Sequence, residues 1–360
     1  MSFEKTKFYS FKIGNLAKGC KLCVKGSKLV LFVTGLCPRS CDYCPISDKK
    51  YKKDVVYVDE WPTKNVGDLI KEAEFIKADG AGITGGDPLC RLDRTISYIK
   101  VLKKRFGKKF HIHLYTSFDL VNETGLKRLF NAGLDEIRFH ADIDNDKLWN
   151  KILLVKKFGW DIGVEIPVIP NKFVQTKKIV DYFADKIDFL NLNELEVADN
   201  SFSKIGSQGF RQRDDLSYGI KGSEEMALKL LDYISKNHKM LNVHYCTAKL
   251  KDKVQLSNRI KRRAKSVAKH YDVINEDGTL FRGAIYQGKS KDLKKAVSKL
   301  KKDFDIPDDL IEFDDVRNRI LIASWIVDEL RGEIKKLGLR PALVEEYPTW
   351  DCLEISVDFL

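Results

Sequence analysis

No stretch of the 360 residues stays apolar for the roughly 18 positions that a spanning helix needs, which excludes a membrane-embedded helix. The first residues, MSFEKTKFYSFKIGN, lack the apolar core of a signal peptide, so a cytoplasmic location and reduced cysteines are expected. Acidic residues are outnumbered, 52 against 64 Lys and Arg, for a net charge of +12. Low-complexity linkers are missing, as is any repeat beyond alternating strands and helices, so no domain boundary is sharply drawn. Apolar residues are plentiful: at 43% of the chain they bury a core of one or two domains without staples, and disorder is ruled out.

Five of the eight cysteines fall between Cys20 and Cys44. They read Cys20-x2-Cys23 and then Cys37-x3-Cys41-x2-Cys44, while Cys90, Cys246 and Cys352 are isolated. In a reduced protein this clustering points to metal or redox chemistry rather than disulfides. Three thiolates on one loop can wrap one centre, yet a closed structural zinc site wants four protein ligands, and here it would need a distant one such as Cys90. An iron-sulfur cluster held by three cysteines leaves one iron open to a small molecule.

The apolar run KLVLFVT (28–34) predicts a buried strand. Further strands are expected at 80–84, 110–116, 134–140, 161–169 and 187–197, separated by helices near 64–79, 93–106, 122–132, 145–158 and 173–185. Such alternation with short joints demands parallel strands and right-handed crossovers, and about six units fall short of a closed barrel. The expected fold class is α/β, a partial (β/α)6 parallel barrel over 28–245. An N-terminal extension (1–27) with the CxxC precedes it, and a smaller, basic α+β domain (246–360) follows. There, 249–269 reads as a helix with nine basic residues and one acidic, and Asn275 to Gly278 as a hairpin turn. A second Lys-rich segment (289–302), a long helix over 315–337 and two closing strands complete the region. In parallel α/β folds chemistry gathers at the carboxyl ends of the strands, where Cys37, Gly85 to Asp87, Thr116, Ser117 and His140 lie.

CPRSCDYC, with Tyr43 before the last cysteine, and TGGDP after the second strand resemble the two core motifs of the radical S-adenosylmethionine (SAM) superfamily, Asp87 standing where the superfamily usually has Glu. The wider sequence is similar to an archaeal group related to pyruvate formate-lyase activating enzyme. The resemblance covers residues 28 to 200 and implies a barrel of radical SAM type. It implies a 4Fe-4S cluster on Cys37, Cys41 and Cys44, with SAM on the open iron and Tyr43 beside it. Gly85, Gly86 and Asp87 would hold the methionine end of SAM, and Thr116, Ser117 and Glu165 the ribose. Reductive cleavage of SAM would give a 5′-deoxyadenosyl radical that takes a hydrogen from a substrate, with electrons from a ferredoxin or flavodoxin.

Cys20 and Cys23, with Cys246 and the neighbouring His244, could supply four ligands to zinc or a second 4Fe-4S cluster; a reduced, unliganded pair is the alternative. Cys90 and Cys352 read as buried apolar cysteines. His111 and His113 share a strand face, and His113, His140 and Asn193 are candidate catalytic residues at the barrel mouth, beside Arg138, Asn191 and Glu194; satisfied core or rim histidines are the alternative. Asn193 and Glu194 point to opposite faces, so one of the pair faces inward. The basic segments, with Arg259, Lys261, Arg262 and Arg263 close together and Tyr271, Phe281 and Tyr286 near, point to RNA, tRNA first, as substrate. Solvated charge, a protein, peptide or anionic metabolite substrate, and a metal-stapled RNA-binding protein without catalysis are the alternatives.

Overall fold

The computed structural model describes residues 2–198, 200–214, 217–288 and 292–360, so the first three positions of the Lys-rich segment lie outside the described residues. The chain forms two compact units, residues 1–74 with 78–256, and 75–77 with 257–360. The first unit is built on seven parallel strands: β1 (Lys28–Phe32), β2 (Gly80–Thr84), β3 (His111–Ser117), β4 (Glu136–His140), β5 (Asp161–Val168), β6 (Phe189–Glu194) and β7 (Asn242–Cys246). Each pairs with its sequence neighbour, and the sheet stays open. Phe11–Ile13 runs antiparallel along β7, and Tyr57–Val58 along β1. The partial parallel barrel is therefore as expected, and β7 adds a seventh strand to the six expected.

Helices α1 (Lys18–Val24), α2 (Val66–Phe75), α3 (Leu92–Phe106), α4 (Glu123–Ala132), α5 (Phe173–Phe183) and α6 (Ser223–Asn237) belong to this architecture. Asn122 caps α4 by accepting from the Gly125 amide at 2.9 Å, and Gly133, at φ +102°, ends it in the left-handed conformation that glycine adopts without strain. The helix expected over 145–158 is instead two 3₁₀ segments, Trp149–Leu154 and Lys156–Phe158.

The strands alternate with period two even though both faces are covered. Ile112, Leu114, Ile137, Phe139, Val164, Ile166, Leu190 and Leu192 are fully buried on one face. The other face carries His111, His113, Tyr115, Glu136, Arg138, Glu165, Asn191 and His244. Core parallel strands usually read as continuous apolar runs, so this polar inner face marks the barrel lumen as the place of function. Helix α1 packs against the starts of β1, β2 and β3. A Cβ on Gly19 would fall 2.5 Å from Arg138 Nη2 and 2.7 Å from His113 Nδ1, so only glycine lets α1 approach the lumen so closely.

The second unit is a twisted antiparallel sheet with helices. It holds α7 (Ser257–Val267), β8 (Val273–Ile274), β9 (Leu280–Tyr286), α8 (Leu293–Phe304), β10 (Ile311–Asp314), β11 (Arg319–Ile322), α9 (Ser324–Glu329), α10 (Arg331–Lys336), β12 (Arg340–Glu346) and β13 (Glu354–Phe359). The expected hairpin joins β8 to β9, and the two closing strands are β12 and β13. The long helix expected over 315–337 is absent there: Arg319–Ile322 is the buried strand β11, paired with β9 and β10, and only short helices follow. Its run RILI is too apolar on all sides for one helix face.

Candidate active site at the carboxyl ends of the barrel strands

A cavity of about 770 Å³ opens at the carboxyl ends of the strands, within the size range of cofactor and substrate sites. Cys37, Cys41 and Cys44 line it, as do Tyr43, Gly85, Gly86, Thr116, Ser117, His140, Glu165 and Asn193. The sequence separates these residues by up to 156 positions, and the parallel topology brings them to one rim.

The loop after β1 carries the three thiols and is pinned on both flanks. Arg39 donates to the His140 carbonyl at 3.0 Å and pairs with Asp142 at 2.8 Å. Asn200 donates to the carbonyls of Cys44 and Ile46, Lys204 donates its amide to Asp42, and Phe202 stacks on Tyr51 with ring centres 3.5 Å apart. The three thiols are half-buried, and burial pushes each of them up, Cys37 to about 12. Bare thiolates are thus disfavoured there, whereas a bound cation would stabilise them. The Arg39 guanidinium favours a thiolate at Cys41, and the Arg39 amide donates to Cys37 Sγ at 3.4 Å. Three thiols facing a cavity, with a nearby cation and an N–H···S hydrogen bond, fit a 4Fe-4S cluster with one open iron.

Gly85 and Gly86 are glycines because the thiol loop lies on them. A Cβ on Gly85 would sit 2.5 Å from the Thr34 carbonyl oxygen, and one on Gly86 2.4 Å from that of Leu36. The Gly86 and Asp87 amides donate to those same carbonyls at 2.7 and 2.8 Å. The motif therefore seats the cysteine loop, in addition to lining the cavity.

Asp87 requires a correction. It is buried beneath the rim and absent from the cavity lining. Its carboxylate accepts from the Leu89 amide, from Thr116 Oγ1 at 2.8 Å, and from the Ser117 amide and Oγ at 3.1 and 2.8 Å. Its side chain ties the end of β2 to the end of β3. His113 requires another. It is fully buried next to α1, its ring nitrogens make no hydrogen bond, and it lies outside the cavity lining, since it sits mid-strand and four residues below Ser117.

His140 does line the cavity. Its Nδ1 lies 3.2 Å from the Glu165 carbonyl and its Nε2 2.9 Å from the Tyr43 hydroxyl. Burial, with Arg39 nearby, brings it down to about 4, so the ring is neutral near pH 7; Nδ1–H then donates to the carbonyl and Nε2 accepts from Tyr43. Glu165 accepts from Arg138 at 2.8 Å, Asn191 at 2.8 Å and Asn193 at 3.0 Å. Burial raises its pKa, but these three donors outweigh it and hold the carboxyl at about 2, a fixed negative charge on the cavity wall. Asn193 points inward as Glu194 points away: the Glu194 carboxylate accepts from the Ala248 amide and pairs with Arg213.

Cys23 and Cys246 lie beside Gln255, and Cys20 beside Asn191. Cys23 Sγ donates to Gln255 Oε1 at 3.3 Å, Gln255 Nε2 lies 3.7 Å from Cys246 Sγ, and Asn191 donates to Cys20 Sγ at 3.3 Å. Cys23 and Cys246 share Gln255 as a neighbour, whereas Cys20 is held by Asn191. His244 Nε2 is 3.3 Å from the Ser10 hydroxyl.

Lys28, Arg39 and Lys251 line the cavity and were not singled out from sequence. Lys28 opposes its own burial through the neighbouring Cys23 and Tyr115 groups, which hold it charged. A lysine opening the apolar strand KLVLF was the available signal.

Fold, thiol loop and glycine turn together define an enzyme that uses a 4Fe-4S cluster and S-adenosylmethionine. The chain belongs to the radical SAM superfamily, whose family model matches residues 31–185. A second model, a domain of unknown function (DUF8061), matches residues 278–358. The chain is 40% identical over 366 residues to the Methanocaldococcus jannaschii protein "Putative glycyl-radical enzyme activating enzyme MJ0021", covering 98% of this chain and 95% of that one. Among solved structures it is similar to Streptococcus suis SuiB bound to S-adenosylmethionine, at 16% identity and a TM-score of 0.44, over 61% of this chain and 50% of that one. It is also similar to coproporphyrinogen III oxidase of Escherichia coli, at 10% identity and a TM-score of 0.35, over 66% and 59% of the two chains. No helix among the described residues is long and apolar enough to cross a membrane.

Proposed function

We propose that this radical SAM enzyme acts on a protein, taking a hydrogen atom from a glycine Cα of its partner. The carrying observation is the 40% identity, over nearly the whole of both chains, to a protein named as a glycyl-radical enzyme activating enzyme. Cys37, Cys41 and Cys44 would hold a 4Fe-4S cluster, which when bound would supply one electron, drawn from a ferredoxin or flavodoxin, for breaking the C5′–S bond of SAM into methionine and the 5′-deoxyadenosyl group. The glycine C–H bond then breaks, a C–H bond forms at C5′, and the unpaired electron stays on the glycine. Gly85, Gly86, Thr116 and Ser117, which line the cavity, would hold SAM, and Glu165, Asn193 and His140 add polar groups to the same lining.

An RNA substrate has less to support it. In the second unit Arg263 is buried, and Arg262 donates to the Ile76 carbonyl at 2.6 Å. Lys294, Lys295, Lys299 and Lys301 each pair with an aspartate. Tyr271, expected to stack on bases, is buried with its hydroxyl on Glu312 at 2.5 Å, and the Tyr286 hydroxyl donates to Glu354. These charges and rings are used within the fold.

The test is deuterium transfer. Soluble extract from anaerobic cells grown on Cα-deuterated glycine is given to the reconstituted, reduced enzyme with SAM, and 5′-deoxyadenosine is analysed by mass. Deuterium in the nucleoside that survives ribonuclease and is lost after protease is expected. Transfer abolished by ribonuclease, or no transfer at all, would overturn the reading.

A further inference from the structure

At the strand starts, the barrel end away from the cavity, the first residues of β3, β4 and β5 are His111, Glu136 and Asp161. One ligand atom from each lies within 4.8 Å of the others. From this arrangement we infer that the barrel holds a structural divalent metal ion here, of the zinc class, bound by one imidazole and two carboxylates.

Two observations carry it independently. His111 is 2% exposed, yet neither of its ring nitrogens makes a hydrogen bond; Nε2 faces Glu136 Oε2 at 3.4 Å. A buried imidazole without partners is costly unless something occupies its lone pair. Glu136 and Asp161 are direct register partners on adjacent parallel strands, which places two carboxylates side by side on one face. Arg138 neutralises the far oxygen of Glu136, Oε1, at 2.6 Å, and the Gly19 amide donates to Oε2 at 3.1 Å. Lys18 faces both His111 and Asp161, while Asp135 and Asp188 add negative charge around Asp161. Lys103 answers Asp135 at 2.6 Å. The local balance stays acidic around an unpartnered nitrogen donor.

One nitrogen and two oxygen donors suit a borderline ion such as Zn²⁺, with water completing the shell. Asp161 is exposed, which gives the ion a route from solvent. Because the donors come from three consecutive strands, a bound ion would clamp their starts and stabilise the folded barrel in proportion to its occupancy. The site lies apart from the thiol loop, and the inference is independent of the substrate reading.

The experiment is a Co²⁺ titration of the full chain carrying Cys37→Ala, Cys41→Ala and Cys44→Ala, which removes the cluster site. Saturation at a single equivalent, with ligand-field bands and no thiolate charge-transfer absorption, is expected. Asp161→Asn in the same background should weaken binding by more than the roughly 10–100-fold typical of losing an outer-shell partner. In case the triple variant folds poorly, the second measurement uses chains with all eight cysteines: Zn²⁺ should raise the melting temperature of the wild type by clearly more than that of Asp161→Asn, whose thiols remain. Thiolate charge-transfer bands, no saturable binding, or equal zinc effects on wild type and Asp161→Asn would overturn the inference.

Discussion

Three donors on one carboxylate decide the electrostatics of the cavity wall. With Arg138, Asn191 and Asn193 on Glu165, its folded-state pKa lies near 2, below the usual 4.5. A lowered value means that the stabilisation is present above the unfolded constant and disappears as pH falls from about 4.5 toward about 2. Urea unfolding of the cluster-free protein should show this loss, and Glu165→Gln should flatten it; equal pH slopes for the two would contradict the assignment. Asp87 acts as a knot between strand ends, so Asp87→Ala should cost at least about 1–3 kcal/mol in unfolding free energy through stranded donors at Leu89, Thr116 and Ser117. An unchanged midpoint would show that the knot is dispensable. At this scale the sequence was readable where spacing carries chemistry, as with Cys37, Cys41 and Cys44. It was not readable for Asp87 or His113, because whether a polar side chain on a strand or in the turn after it faces the cavity or a neighbour depends on partners far away in the chain.

The glycine turn and the thiol loop work as one element. Gly86→Ala places a methyl against the Leu36 carbonyl, so the loop must lift. The expected outcome is a protein that folds with a modest loss, about 1–3 kcal/mol, yet retains less than half the wild-type iron after reconstitution. Wild-type iron content would show that the loop does not depend on this seat. Strand and helix alternation across 28–197 was legible because period two and period 3.6 differ clearly there. β7 was missed because its five residues carry a single aliphatic side chain, Val243, and β11 because the apolar positions after it run on into the helix α9. The 3₁₀ segments at 149–158 were missed because their spacing imitates a helix face, although two short turns form there.

For the whole molecule, radical chemistry belongs to the first unit, where the thiol loop lies, and Lys294, Lys295 and Lys299 of α8 in the second have aspartate partners. Replacing Lys294, Lys295 and Lys299 by Gln should therefore leave substrate-dependent 5′-deoxyadenosine formation unchanged, and tRNA should bind no better than about 10⁻⁴–10⁻⁶ M, the range of non-specific association. Loss of turnover in that variant would return RNA to consideration. Net charge alone had suggested nucleic acid, but it cannot tell paired cations from free ones. The most direct measurement reconstitutes wild type and Cys41→Ala anaerobically with iron and sulfide, counts iron, and detects 5′-deoxyadenosine after reduction with SAM. The account predicts about four irons per chain and 5′-deoxyadenosine from the wild type, with neither from Cys41→Ala. A wild type that binds the iron and cleaves no SAM, or a variant that cleaves it equally well, would contradict it.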